Sequence, residues 1–136
     1  FLSIWLFSQN FYLIHSQSLG SNCPSTCTCN YNPTVLTLQC TALTSSILLP
    51  DILLTPSLSG TTEIIIQNSF LTDFPSNLCS YAVNLQRLDL SRNRISTTIS
   101  QQTFNCFGNL KYLNLSNNLI INVNESAFSF LNNLEI

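Results

Sequence analysis

The 136 residues suffice for one ordinary domain, and they are charge-poor: 7% charged against 45% apolar, with a formal net charge of −2. The cations Arg87, Arg92, Arg94 and Lys111 are too few for a nucleic-acid footprint, so no nucleic-acid partner is expected. The scarcity of Lys and Glu also argues against a charge-covered helical bundle. The polar residues are mainly Asn, Ser, Thr and Gln, which favour turns and strands over helix interiors.

Residues 1–20 read as a signal peptide whose start is missing. "FLSIWLFSQNFYLI" is apolar, interrupted only by small or amide side chains, and is followed by Ser16, Ser18 and Gly20. Cleavage is expected after Ser18 or Gly20. The rival reading is a buried N-terminal helix or a signal anchor, but the run is short and interrupted for a membrane span. His15 is the only histidine, so cleavage would leave none. Ser-His-Asp catalysis, Cys-His catalysis and histidine metal sites are then excluded, and neither an enzyme nor a cofactor is expected.

Residues 21–60 form a cysteine-rich segment. "CPSTCTCNYNPTVLTLQC" holds Cys23, Cys27, Cys29 and Cys40. An even, dense cluster in a secreted chain reads as a disulfide framework, and the absence of a C-x2-C knuckle argues against zinc. Cys27 and Cys29 are too close to pair with each other. The open pairings are Cys23–Cys27 with Cys29–Cys40, or Cys23–Cys29 with Cys27–Cys40. "VLTLQC" is expected to be a strand with Leu36, Leu38 and Cys40 facing inward. Pro50 and Pro56 block a long helix in the stretch that follows.

Residues 61–136 repeat. "LQRLDLSRNRI" (85–95) and "LKYLNLSNNLI" (110–120) share Leu, Leu, Leu, Asn and Ile at an offset of 25. An offset of 24 upstream reaches "TTEIIIQNSFL", where Thr61 replaces the first Leu and Ser69 the turn Asn. Phe104, Phe107 and Leu110 match Phe128, Leu131 and Leu134; Cys79, Ala82 and Leu85 hold the same places upstream. Each unit reads as a short strand such as Leu110–Leu115, a turn held by Asn93 or Asn118, and re-entry into the core, at Leu119 and Ile120 in the last complete copy. No single turn buries its own leucines, but stacked turns do. Cys79 and Cys106, 27 apart, fit a bridge between neighbouring turns, the alternative being two buried thiols.

These features resemble the leucine-rich repeat, L-x-x-L-x-L-x-x-N-x-L, with about three copies here. The cysteine segment is similar to the N-terminal cap of extracellular members. The resemblance implies an α/β fold, a right-handed leucine-rich repeat solenoid with a parallel β-sheet on its concave face. It also implies the pairings Cys23–Cys29 and Cys27–Cys40. The chain stops inside a motif, so a fragment is expected, exposing Leu131, Leu134 and Ile136. Membrane attachment would come through a missing C-terminal region.

Outward strand positions then form the candidate binding face: Glu63, Ile65 and Gln67; Arg87, Asp89 and Ser91, with Arg92 just beyond; and Tyr112, Asn114 and Ser116. The expected partner is an extracellular protein ligand or co-receptor. The full protein would be a cell-surface receptor or, alternatively, a secreted matrix or adhesion protein. Asn114 and Asn124 head glycosylation sequons. A glycan on Asn114 would compete with binding at that strand.

Overall fold

The computed structural model describes residues 27–31, 34–40 and 60–135. The signal segment lies outside them. So do the expected pairings Cys23–Cys29 and Cys27–Cys40, since Cys23 and the side chains of Cys27, Cys29 and Cys40 are not described.

Five strands make one sheet in chain order: β1 Cys27–Tyr31, β2 Val35–Cys40, β3 Glu63–Ile66, β4 Arg87–Asp89 and β5 Tyr112–Asn114. β1 and β2 form an antiparallel pair with Cys27 opposite Cys40. From β2 onward every pairing is parallel, in the register Val35, Glu63, Arg87, Tyr112 and Leu36, Ile64, Leu88, Leu113. Each strand returns one repeat later beside its predecessor, as a stacked solenoid requires. β5 is shorter than the expected Leu110–Leu115 strand. Lys111 and Tyr112 lead into it by sharing the Gln86 carbonyl, at 2.8 and 3.0 Å.

The core is the column of matched apolar positions. Ile64, Leu88 and the partly buried Leu113 stack across the sheet, with Leu85, Leu90, Ile95 and Leu110 buried above and below. Facing the sheet are a short helix α1, Leu78–Tyr81, and a 3₁₀ turn, Gln101–Phe104. Phe74 meets Phe104 edge-on at 5.1 Å, and Phe128 stacks on Phe104 at 5.6 Å. A disulfide joins Cys79 to Cys106, with Cα atoms 5.5 Å apart, tying two successive repeats together on this side.

The turns are held by a ladder of asparagine amides. Asn93 is buried, and its Oδ1 accepts from the Ser69 and Leu71 N–H groups, both at 3.0 Å. Its Nδ2 donates to the carbonyls of Ile66 (2.7 Å) and Leu90 (2.9 Å). Asn118 repeats the pattern one turn on, accepting from Ile95 N–H at 3.0 Å and donating to Leu90 and Leu115 carbonyls at 2.9 Å. Each amide therefore reaches the preceding turn as well as its own. Ser69, standing where the first repeat lacks Asn, donates its hydroxyl to the Gln67 carbonyl at 2.8 Å.

Two expectations about depth require correction. Leu119 does not re-enter the core. It is 59% exposed, while Ile120 packs inward. Leu131 is not exposed: at 6% it is buried like its match Phe107, and the outward apolar residues in that region are Ile121, Val123, Phe128 and Phe130.

Candidate binding face

The strand register turns the outward positions into rows across the sheet. The first row is Glu63, Arg87 and Tyr112. Arg87 organises it. Its guanidinium carbon lies 3.9 Å from the Tyr112 ring centroid, its Nε is 4.0 Å from the Glu63 carboxylate, and its Nη2 is 3.9 Å from Asp89. Both ion pairs are long; the exposed one with Glu63 contributes only about 0–1 kcal/mol. Their consequence is positional: a guanidinium already stacked and flanked by carboxylates loses less freedom on meeting a partner.

The second row is Ile65, Asp89 and Asn114. Ile65 is half-buried. Asp89 and Ser91, expected at the surface, are on this face but only 3% and 5% exposed. The reason is hydrogen bonding among neighbours. Asp89 accepts from the Ser91 N–H at 3.0 Å and from the Asn114 amide at 3.2 Å, and Asn114 Oδ1 accepts from the Ser116 N–H at 3.0 Å. These two residues build the surface rather than present themselves on it. Beyond the strands, Gln67 is half-buried, and Ser116 and Arg92 are exposed.

Burial pushes the Asp89 carboxyl up. Hydrogen bonds from the Ser91 side chain and N–H, from Gln67 and from Asn114 outweigh that and hold its pKa below the ordinary 3.8. The folded state thus binds this proton less readily than the unfolded chain does. Its stabilisation is complete above the unfolded value and is lost as pH falls through the depressed one. Asp89→Asn should therefore flatten the fall in stability that the native protein shows below about pH 3.8, as read by urea unfolding at stepped pH. An unchanged slope would remove Asp89 from the acid response.

The two sequons differ in setting. The Asn114 amide is engaged with Asp89 and Ser116 and half-buried, whereas Asn124 is exposed. A second amide series escaped sequence reading. Asn109 donates to the Val83 carbonyl at 3.4 Å, and Asn133 to that of Gly108 at 2.6 Å. The signal was present: Asn84, Asn109 and Asn133 directly precede the matched leucines. With Gly60, Thr62, Gln86 and Lys111 they line a shallow polar groove at the entry edge of the sheet.

Glu63 and Asp89 share Arg87 and are not placed as an acid–base pair. No group of three metal-ligating side chains occurs among the described residues.

No curated protein matches the sequence. Among solved structures, the fold is similar to the leucine-rich repeat ectodomain of the receptor kinase SOBIR1 from Arabidopsis thaliana. The TM-score is 0.49 at 23% identity, covering 93% of this chain and 74% of that one. The leucine rich repeat family matches residues 59–120 and 83–136, the stretch in which strands, core leucines and turn asparagines recur. The chain belongs to the leucine-rich repeat family.

Proposed function

We infer that this chain is the N-terminal part of the ligand-binding ectodomain of an extracellular leucine-rich repeat receptor, recognising a protein partner without covalent chemistry. The observation that carries this reading is the Glu63–Arg87–Tyr112 row, in which a preordered arginine and an exposed tyrosine stand together on the sheet. Arg and Tyr are common anchors of protein interfaces. The contact set is narrower than the full list of outward positions: Glu63, Ile65, Gln67, Arg87, Tyr112 and Ser116 remain, with Asp89, Ser91 and Asn114 supporting them, while Arg92, beyond β4, belongs to the turn edge. The Cys79–Cys106 bond supports an oxidising compartment, where such bonds persist. The Cys27–Cys40 register supports the cap pairing that joins those two residues, which leaves Cys29 for Cys23. Exposure favours Asn124 over Asn114 as the glycan site, which would leave the sheet face open.

The test expresses the complete reading frame in eukaryotic cells. Protein retained on intact cells after a high-salt wash, with the Asn124 peptide glycosylated and the Asn114 peptide bare, is the expected result. Quantitative release into the medium would instead favour the secreted matrix or adhesion protein. Glycan on Asn114 would remove Tyr112 and Ser116 from the contact set.

A further inference from the structure

We propose that the turn edge beyond the strands carries a second binding surface, a cationic patch that takes an acidic segment of a partner protein bearing apolar side chains. Six exposed positions form a two-by-three grid there: Asn68, Arg92 and Asn117 in one line, and Phe70, Arg94 and Leu119 in the other. Between the lines run Ser69, Asn93 and Asn118, whose hydrogen bonds link each turn to its neighbour. The grid is thus an ordered surface with its side chains turned outward.

Its composition is unlike the rest of this charge-poor chain. Two of the four cations occupy its centre, and no acid belongs to it. Both ion pairs among the described residues belong to Arg87, not to Arg92 or Arg94. Arg94 lies over the Phe70 ring at 4.4 Å. That contact steadies the guanidinium through its face and leaves its edge donors for a carboxylate. Phe70 and Leu119, 42% and 59% exposed, put apolar surface at the two ends of the line.

The backbone adds an independent mark. Asn68, Phe70, Arg92 and Asn117 have φ of 51, 57, 58 and 55°. Asparagine enters this left-handed region readily; a bulky Phe does not. Phe70 is held there because the N–H groups on both sides of it, from Ser69 and Leu71, converge on one acceptor, Asn93 Oδ1. The strained turn projects the ring that Arg94 covers, and such outliers mark functional positions when the surroundings enforce them.

A peptide fits better than a polyanionic glycan. Two guanidinia do not make an extended basic field on a chain of net charge −2, and the apolar surface of Phe70 and Leu119 is matched better by apolar side chains than by a sulfated sugar. Carboxylates spaced to meet Arg92 and Arg94, with an apolar residue on either side, match the grid in charge and in polarity.

The test titrates the full chain with three fluorescent probes: a peptide of alternating glutamate and leucine, its glutamine–leucine counterpart, and a sulfated oligosaccharide. The acidic peptide should bind roughly tenfold more tightly than the neutral one, a margin that salt erodes and that Arg92→Gln with Arg94→Gln removes. Phe70→Ala should weaken it without abolishing its salt dependence. Arg87→Ala, on the sheet face, should leave it unchanged, so that failure of this patch and failure of the sheet-face reading remain separable. Equal binding of the two peptides, survival of the margin in the double variant, or binding of the sulfated oligosaccharide alone would each overturn the proposal. All the substituted side chains are exposed, and matching circular dichroism spectra confirm that the variants fold.

Discussion

Asn93→Ala is expected to remove roughly 3–5 kcal/mol of unfolding free energy, because each buried backbone group it orphans costs about 1–3 kcal/mol. Its amide serves the Ser69 and Leu71 N–H groups on one side and the Ile66 and Leu90 carbonyls on the other. Alanine removes that partner from all four in a site only 6% open to solvent, and of the four the Leu90 carbonyl still accepts from the Asn118 amide at 2.9 Å. Asn118→Ala should cost less, about 1–2 kcal/mol, since Asn118 is half-buried, serves one accepted N–H and leaves groups that water reaches more easily. The ratio of the two losses is the informative quantity. It separates a buried ladder from a generic preference for asparagine in turns. Urea unfolding of both variants beside the native chain measures it. Losses below about 1 kcal/mol for both would mean that the ladder contributes no more than an ordinary hydrogen bond.

That ladder also marks where sequence reading succeeds and where it stops. The recurrence of Leu85, Leu88 and Leu90 at Leu110, Leu113 and Leu115 is legible because a stacked turn accepts only apolar residues at those places. The asparagines are legible as turn residues, but spacing does not say that each reaches back to the turn before it. Strand alternation assigns a face and not a depth. Asp89 and Ser91 point to the binding side as read, yet their neighbours' hydrogen bonds bury them. The apolar doublet Leu119-Ile120 reads as two core positions, yet Leu119 faces outward. Its equivalents are Phe70 and Arg94, and an arginine there already marks an outward place. β1 was not anticipated because "CTCNY" offers no apolar alternation; its exposed Thr28 and Asn30 give it a polar face.

Removing the Cys79–Cys106 bridge through Cys79→Ser with Cys106→Ser is the second large effect expected. The bond closes a loop of 27 residues, for which chain-entropy arithmetic gives about 3.5 kcal/mol. The loop runs from α1 through β4 and the Asn93 turn to the residues just after the 3₁₀ turn, so it encloses one complete repeat. Successive repeats otherwise hold together through nearest-neighbour contacts alone, and a solenoid is only as stable as its weakest interface. The bridge reinforces one such interface on the side away from the sheet; on that same side the next interface, among the described residues, carries the isolated pairing of Ile99 with Val123 rather than a strand ladder. The double serine variant should unfold at lower denaturant concentration than the native chain. Native protein treated with reductant should fall at least as far, because the proposed cap pairings Cys23–Cys29 and Cys27–Cys40 are reduced along with this bond. The sheet face should be unaffected before unfolding, because Arg87 and Tyr112 lie on the opposite side of the core. A midpoint that does not move on reduction would show that the stacked leucines and the Asn93 ladder hold these two repeats without the covalent link.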